Sequence, residues 1–272
     1  MTAFPSVAVI GFGTMGQAIS AGLVEAGGFP PEQIHPADPN HKALAARAAA
    51  LGLSMATGAV EAAKASEVVL LCVKPKEIGP VLTELGKGGA LDHHPLVISI
   101  AAGVTLAALE SHVPAGTPVV RAMPNTACSV HQGMVVLSPG QAASEDHLAK
   151  ARSLFEPIAR VMNLEEKHFD AVTALSGSGP AFIFVILEAL AEGGVQCGLP
   201  RGVAQELAAQ MTLGAATMAL QSGKHPAALK DEVTTPAGCT IAGLLVLEDG
   251  RLRSTIARGI EHAARVAGGL GK

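Results

Sequence analysis

Tryptophan and tyrosine are absent from this chain, and seven phenylalanines are its whole aromatic complement. Proteins that bind single-stranded nucleic acid stack the bases on aromatic rings, so this composition disfavours that class. Charge is scarce as well: 15% of residues are Asp, Glu, Lys or Arg, against 49% hydrophobic. With a net charge of −4 and no basic cluster, no nucleic-acid partner is expected. Cysteine is limited to Cys72, Cys128, Cys197 and Cys239, far apart and without a CxxC pair. That usage fits reduced thiols in a cytoplasmic protein. The ten histidines show no metal-ligand spacing, so no metal is assigned. The most apolar window, Ala181 to Leu190, is shorter than the ~20 apolar residues that cross a bilayer, and Glu188 and Glu192 accompany it. A soluble chain with no membrane partner is expected. Met1 stands only a few residues before an apolar strand, so no signal peptide is expected.

What is present begins with Gly11-Phe12-Gly13-Thr14-Met15-Gly16, directly after the apolar run Val7-Ala8-Val9-Ile10. An Ala-rich amphipathic segment, Gln17 to Ala26, follows, so the stretch reads as strand, tight turn and helix. In such a unit the first glycine permits the turn, the second admits a pyrophosphate to the backbone, and the third lets helix pack on strand. The helix N-terminus adds free N–H groups and a positive dipole end. Asp38 ends the next strand, Gln33 to Ala37, close to the ~20-residue spacing of a carboxylate that holds the adenosine ribose. Alone, Asp38 reads as a turn residue before Pro39-Asn40; with the glycines in place the dinucleotide reading prevails.

A chain of 272 residues has room for two domains. From Val7 to about Glu165 strands and helices alternate. Helices are expected at His41 to Ala50, Ala59 to Lys64, Glu77 to Gly86, after Thr105 as N-cap, and at Ser144 to Pro157. Strands are expected near Leu53, at Glu67 to Val73, Leu96 to Ile100, Pro118 to Arg121, Val135 to Ser138 and Val161 to Leu164. Glu67 to Val73 is almost continuously apolar, the pattern of a parallel strand covered on both faces. The alternation implies a doubly wound α/β sheet of Rossmann type, whose ligands lie beyond the carboxyl ends of the strands. Stretches 72–75, 101–103 and 123–126 would meet the glycine turn there. Each of them alone is an ordinary strand-to-helix turn.

After about Glu165 strand signals vanish, which divides the chain into 1–165, a dinucleotide-binding domain, and 166–272, an all-α domain. Helices are expected from Phe169 to Cys197, interrupted at Gly177-Ser178-Gly179-Pro180, then from Arg201 to Ser222 and from Ile241 onward. Ala181 to Leu187 is apolar all round and would be buried on every side, which points to the centre of an intertwined homodimer. Thr235-Pro236-Ala237-Gly238-Cys239-Thr240 sets hydroxyls and free N–H groups at a helix start. It reads equally as a site for a small carboxylate and as an ordinary helix cap.

These segments together resemble the pyrroline-5-carboxylate reductase family. The resembling residues are the opening GxGxxG, Val73-Lys74-Pro75, Ser99 to Val104, Arg121 to Thr126, Leu175 to Ala181, His225-Pro226, Leu229-Lys230-Asp231 and the loop ending Thr240-Ile241. They stand in the family's order along nearly the whole chain. The resemblance implies a Rossmann domain, a helical domain that interlocks two subunits, and dimers often joined into a ring. It implies reduction of the imine of 1-pyrroline-5-carboxylate to L-proline by hydride transfer from NADH or NADPH. It assigns Ile10, Gly11, Phe12, Gly13, Thr14, Met15 and Asp38 to the adenosine and pyrophosphate. Cys72, Val73, Lys74, Ala102 and Asn125 would line the rest of the cofactor crevice. Thr235, Gly238, Cys239 and Thr240 would take the small-molecule substrate, with the Thr240 hydroxyl near the ring nitrogen as the catalytic group.

The chain departs from the family pattern in four places. Ala237 replaces a glycine, so its backbone must avoid positive φ or accept strain. Cys239 puts a thiol beside the substrate, and Phe182 stands where tyrosine is common. Asp38 stands where NADPH-preferring members often carry Ser or Thr, and a carboxylate repels a 2′-phosphate, so NADH is the expected cofactor. Two other readings compete. A β-hydroxyacid dehydrogenase would need a lysine and an asparagine where this chain has Ile183 and Leu187. A non-catalytic nucleotide sensor would have kept the fold but lost turnover.

Overall fold

The computed structural model describes residues 4–54 and 58–270. Seven strands form one sheet in the order β2-β1-β3-β4-β5-β6-β7: β1 (Val7–Ile10), β2 (Ile34–Ala37), β3 (Val68–Leu71), β4 (Leu96–Ser99), β5 (Val119–Met123), β6 (Gly133–Pro139) and β7 (Ala159–Asn163). The first five are parallel; β6 runs antiparallel to β5, and β7 parallel to β6. Every residue of β1, β3 and β4 is buried, because helices cover both faces of a parallel sheet. The side chains divide with a period of two. Val7, Val9, Val68, Leu70, Leu96 and Ile98 enter one core, while Ala8, Ile10, Val69, Leu71 and Val97 enter the other. The chain winds from β1 outward to β2, then crosses back to β3 on the opposite side of β1. The order therefore reverses between β1 and β3, and a crevice opens beyond their carboxyl ends.

The helices of this part are α1 (Thr14–Glu25), α2 (His41–Ala50), α3 (Ala59–Lys64), α4 (Ile78–Lys87), α5 (Leu106–Glu110) and α6 (Glu145–Phe155). Thr105 caps α5 as expected, its hydroxyl accepting from the Ala108 N–H at 3.2 Å. The strand expected near Leu53 is not formed at that residue, and residues 55–57 lie outside the described ones. Leu53 instead closes a Schellman motif after α2. Its N–H donates to the Ala48 carbonyl and that of Gly52 to Ala49, with Gly52 at φ +68° and the Leu53 side chain buried.

Contacts divide the chain into two compact units, Met1–Ser178 with Ala263–Lys272, and Gly179–His262. The division falls later than the expected 165/166. Phe169, Thr173 and Ala174 are buried with the first unit, as is Ala267 near the C-terminus. The break expected at Gly177 to Pro180 is not a break. After α7 (Phe169–Val172), a π-helical turn (Thr173–Gly177) leads into α8 (Gly179–Gln196), and the Ser178 N–H reaches the Thr173 carbonyl at 2.8 Å.

The second unit holds α8, α9 (Arg201–Ser222), α10 (Pro226–Glu232), which is not among the expected helices, α11 (Cys239–Asp249) and the first part of α12 (Leu252–Ala267). Its small residues let α8 and α9 pack closely: a Cβ on Gly194 would stand 3.0 Å from that of Ala204. Among the described residues of this unit the buried side chains are three alanines, Ala191, Ala204 and Ala208. Phe184, Val185, Leu207, Met211, Leu245 and Val246 are all more than half exposed. Within the continuous helix Glu166–Gln196 the most apolar 18-residue window has a mean hydropathy of 1.7, long and apolar enough to cross a membrane by length and composition. The apolar stretch therefore extends beyond the expected Ala181 to Leu190. An apolar surface of this extent requires a partner, and the second copy expected from the sequence would cover it. Sedimentation at micromolar concentration should give a dimer, and a monomer would refute that assignment.

Candidate functional site

The turn after β1 shows why three glycines stand there. Gly11 has φ +91°, and a Cβ on it would meet Val73 Cγ1 at 2.8 Å and the Cys72 carbonyl carbon at 2.9 Å. On Gly16 it would stand 2.3 Å from the Gly11 carbonyl oxygen and 3.3 Å from Val9 Cγ1. These two glycines allow α1, β1 and β3 to meet backbone to backbone. Gly13 differs: a Cβ there meets nothing within 4 Å. It is the N-cap of α1 without a side-chain cap, so the first-turn N–H groups face open space. A phosphate would fit there on backbone donors and the dipole end.

Ile10, Gly11, Gly13, Thr14 and Met15 form one wall of a crevice of about 750 Å³, with Asp38 after β2 and Cys72, Val73 and Lys74 after β3. Phe12, expected among them, turns its ring into the core, where it is fully buried; only its backbone faces the turn. That backbone is gripped from two sides. Its N–H donates to Asp38 Oδ2 at 2.8 Å, and its carbonyl accepts from Arg47 Nη1 at 3.0 Å and Gln17 Nε2 at 3.1 Å. Asp38 Oδ1 accepts from the Asn40 N–H at 2.9 Å. The carboxylate therefore braces the glycine turn while its remaining lone pairs stay available to hydroxyls. Desolvation pushes the Cys72 thiol up to about 12, so it stays protonated in the crevice wall. The Lys74 N–H donates to Glu77 Oε2 at 3.1 Å.

Ala102 and Asn125 do not line this crevice. They follow β4 and β5, one and two strands beyond β3 on the same edge of the sheet. Asn125 accepts from the Met134 N–H through Oδ1 at 3.2 Å, and its Nδ2 donates to Ser176 Oγ at 3.4 Å. Residues not anticipated from sequence include His41, Glu77, Val81 and Glu84. The last three recur at helical spacing, Glu77 as the N-cap of α4 and Val81 and Glu84 within it, a face that periodicity could have revealed. Arg121 was missed as well. It is 4% exposed, pairs through Nη1 with Glu166 Oε1 at 2.8 Å, and lies 4.6 Å from the Phe169 ring centre.

Thr235, Gly238, Cys239 and Thr240 belong to the second unit and cluster at the start of α11. The Gly238 N–H donates to the Thr235 carbonyl at 3.1 Å, closing a β-turn with Pro236 and Ala237 at its centre. Ala237 has φ +54°, so the chain accepts the strain that a glycine would have avoided. A Cβ on Gly238 would stand 2.4 Å from Thr235 Oγ1 and 3.2 Å from the Thr235 carbonyl oxygen, so a side chain there would displace the Thr235 hydroxyl. Gly238 is the N-cap of α11 and no side chain caps it, which leaves the first-turn N–H groups beside the half-buried Thr240 and the exposed Cys239.

Three substitutions test these assignments. Gly16→Ala should cost about 2–3 kcal/mol through its clash with backbone. Gly13→Ala should cost less than about 1 kcal/mol yet weaken nucleotide binding, because its methyl enters the open space. Calorimetry of both variants separates packing from binding; equal destabilisation would refute the distinction. Ala237→Gly should raise stability by up to about 1 kcal/mol, since relief of left-handed strain exceeds the added chain entropy. A lowered thermal midpoint would show that Ala237 is not strained.

Residues 166–270 match the family model for pyrroline-5-carboxylate reductase dimerisation, and residues 6–103 match that for NADP oxidoreductase coenzyme F420-dependent. The pyrroline-5-carboxylate reductase of Synechocystis is 42% identical over 97% of this chain and 97% of its own. That of Schizosaccharomyces pombe is 49% identical over 78% of this chain and 74% of its own. The solved pyrroline-5-carboxylate reductase of Coxiella burnetii superposes with a TM-score of 0.91 at 35% identity, covering 99% of both chains. The Plasmodium falciparum enzyme, solved with NADP bound, gives 0.89 at 27% identity over the whole of both chains. With its glycine turn, its helical second part and relatives matched from end to end, this chain belongs to the pyrroline-5-carboxylate reductase family.

Proposed function

We propose that the chain reduces 1-pyrroline-5-carboxylate to L-proline with a reduced nicotinamide dinucleotide, NADH in preference to NADPH. The observation that carries the reading is the uncapped start of α11 behind the Thr235–Gly238 turn, in a chain whose relatives are named for this reaction. First-turn N–H groups and the dipole end of α11 would bind the substrate carboxylate. The Thr240 hydroxyl would orient the ring nitrogen and take part in proton delivery. A protonated cyclic imine is already electrophilic, so the chain's task is to hold it in position and exclude water. The dinucleotide, when bound, supplies the hydride. Its pyrophosphate would lie on the N-terminus of α1 beside Gly13, and its adenosine ribose against Asp38. Ile10, Thr14, Met15, Cys72, Val73 and Lys74 would complete that cradle, with Ala102 and Asn125 toward the nicotinamide.

The NADH preference is supported by the Asp38 carboxylate at the end of β2, whose charge opposes a 2′-phosphate. Four free cysteines suit a reducing, cytoplasmic compartment. The family resemblance supports a ring of dimers, with residues 166–272 as the dimerisation and substrate-binding part.

Oxidation of NADH and NADPH by the purified protein with pyrroline-5-carboxylate tests both proposals. NADH should give the higher kcat/KM, and a strong NADPH preference would overturn the role of Asp38. Thr240→Val should lower kcat on the order of a hundredfold and leave nucleotide affinity unchanged; undiminished turnover would remove Thr240 from the mechanism.

A further inference from the structure

The crevice beside β1 and β3 is lined by the glycine turn, Asp38 and the turn after β3, but not by the turn after β4. With the adenosine at Asp38, after β2, the sheet order β2-β1-β3-β4 sets the turn after β4 three strand spacings away. That is roughly 14 Å. The turn, Ile100 to Thr105, holds Gly103 at φ +77°. It is tied down at both ends. The Ala101 N–H donates to Ser99 Oγ at 3.3 Å, and the Leu106 N–H, first in α5, donates to Glu166 Oε1 at 2.6 Å. The same oxygen accepts from Arg121 Nη1 at 2.8 Å. Arg121 is itself immobilised: it lies on β5, is 4% exposed, and rests 4.6 Å from the ring centre of the buried Phe169. One carboxylate oxygen thus joins the end of the β4 turn, the β5 strand and the segment that leads into α7. A shared oxygen between a rigid cation and a backbone N–H fixes the turn more firmly than a neutral hydrogen bond would.

We infer that Glu166, anchored by Arg121, is a positioning residue that holds the Ala101–Gly103 turn for the nicotinamide half of the cofactor. The inference rests on the dinucleotide reading above. Glu166 touches neither reactant, and the adenosine half, held by the glycine turn and Asp38, does not depend on it.

Direct binding of two probes, NADH and AMP, measured by calorimetry without substrate, separates this role from general destabilisation. Glu166→Ala should weaken NADH about tenfold and leave AMP within twofold of the wild type. Glu166→Gln keeps an acceptor for Leu106 and Arg121 and should restore NADH affinity to within about threefold. Should Glu166→Ala fail to fold by circular dichroism, Glu166→Asp takes its place. It retains the charge beside Arg121 but withdraws the oxygen from Leu106, and the same selective loss is expected. Unchanged NADH affinity, or equal loss of AMP and NADH in a folded variant, would overturn the inference while leaving the dinucleotide reading intact. A wild-type chain that bound neither probe would overturn both.

Discussion

Backbone meets backbone where α1 crosses the ends of β1 and β3, and the nucleotide cradle depends on that contact. A Cβ on Gly16 would stand 2.3 Å from the Gly11 carbonyl oxygen, and one on Gly11 would stand 2.9 Å from the backbone of Cys72 and Val73. With no side chains between them, helix and strands lie close enough for the N-terminus of α1 to open onto the reversal point of the sheet. Asp38 and Arg47 then hold the Phe12 peptide from opposite sides, while the Phe12 ring anchors the turn in the core. The site is a short stretch of exposed backbone, rigid because everything beneath it is buried.

The two units reach stability by different means. The first encloses its apolar strands between helices, and each fully buried Val or Leu there contributes roughly 1.5–3 kcal/mol. The second buries three alanines and leaves its large apolar side chains outside. Its helices are formed but not buried, which is the condition of half an interface. Membership of a family whose matched segment is a dimerisation region gives those side chains a partner in a second copy. Sparse charge, visible in the composition, is the same fact seen from the sequence.

Acidic groups serve as struts in this protein. Asp38, Glu77 and Glu166 each accept from backbone N–H groups at turns near the carboxyl edge of the sheet. A carboxylate has lone pairs enough to brace a loop and still meet a ligand or a cation. Ala237 is the opposite device, a residue held at φ +54° by the turn around it and placed directly before the α11 N-terminus.

Local patterns determined most of the first unit: continuous apolar runs marked the buried strands, glycines marked the turn, and Thr105 marked a cap. They also foretold the choice that Ala237 would face. Patterns failed where a residue's meaning depends on what arrives from elsewhere in the chain. Leu53 has the composition of a short strand, but Gly52 lets it fold back on α2 instead. Gly177 to Pro180 contains helix breakers, yet a π-turn carries the helix through them. Phe12 sits inside the nucleotide motif but points away from it. Arg121 and Glu166 are forty-five positions apart, and no period or motif links them. Short-range order is written in side-chain spacing because each period selects a face. Which carboxylate meets which cation is decided only when the sheet is assembled, since burial alone sets those partners side by side.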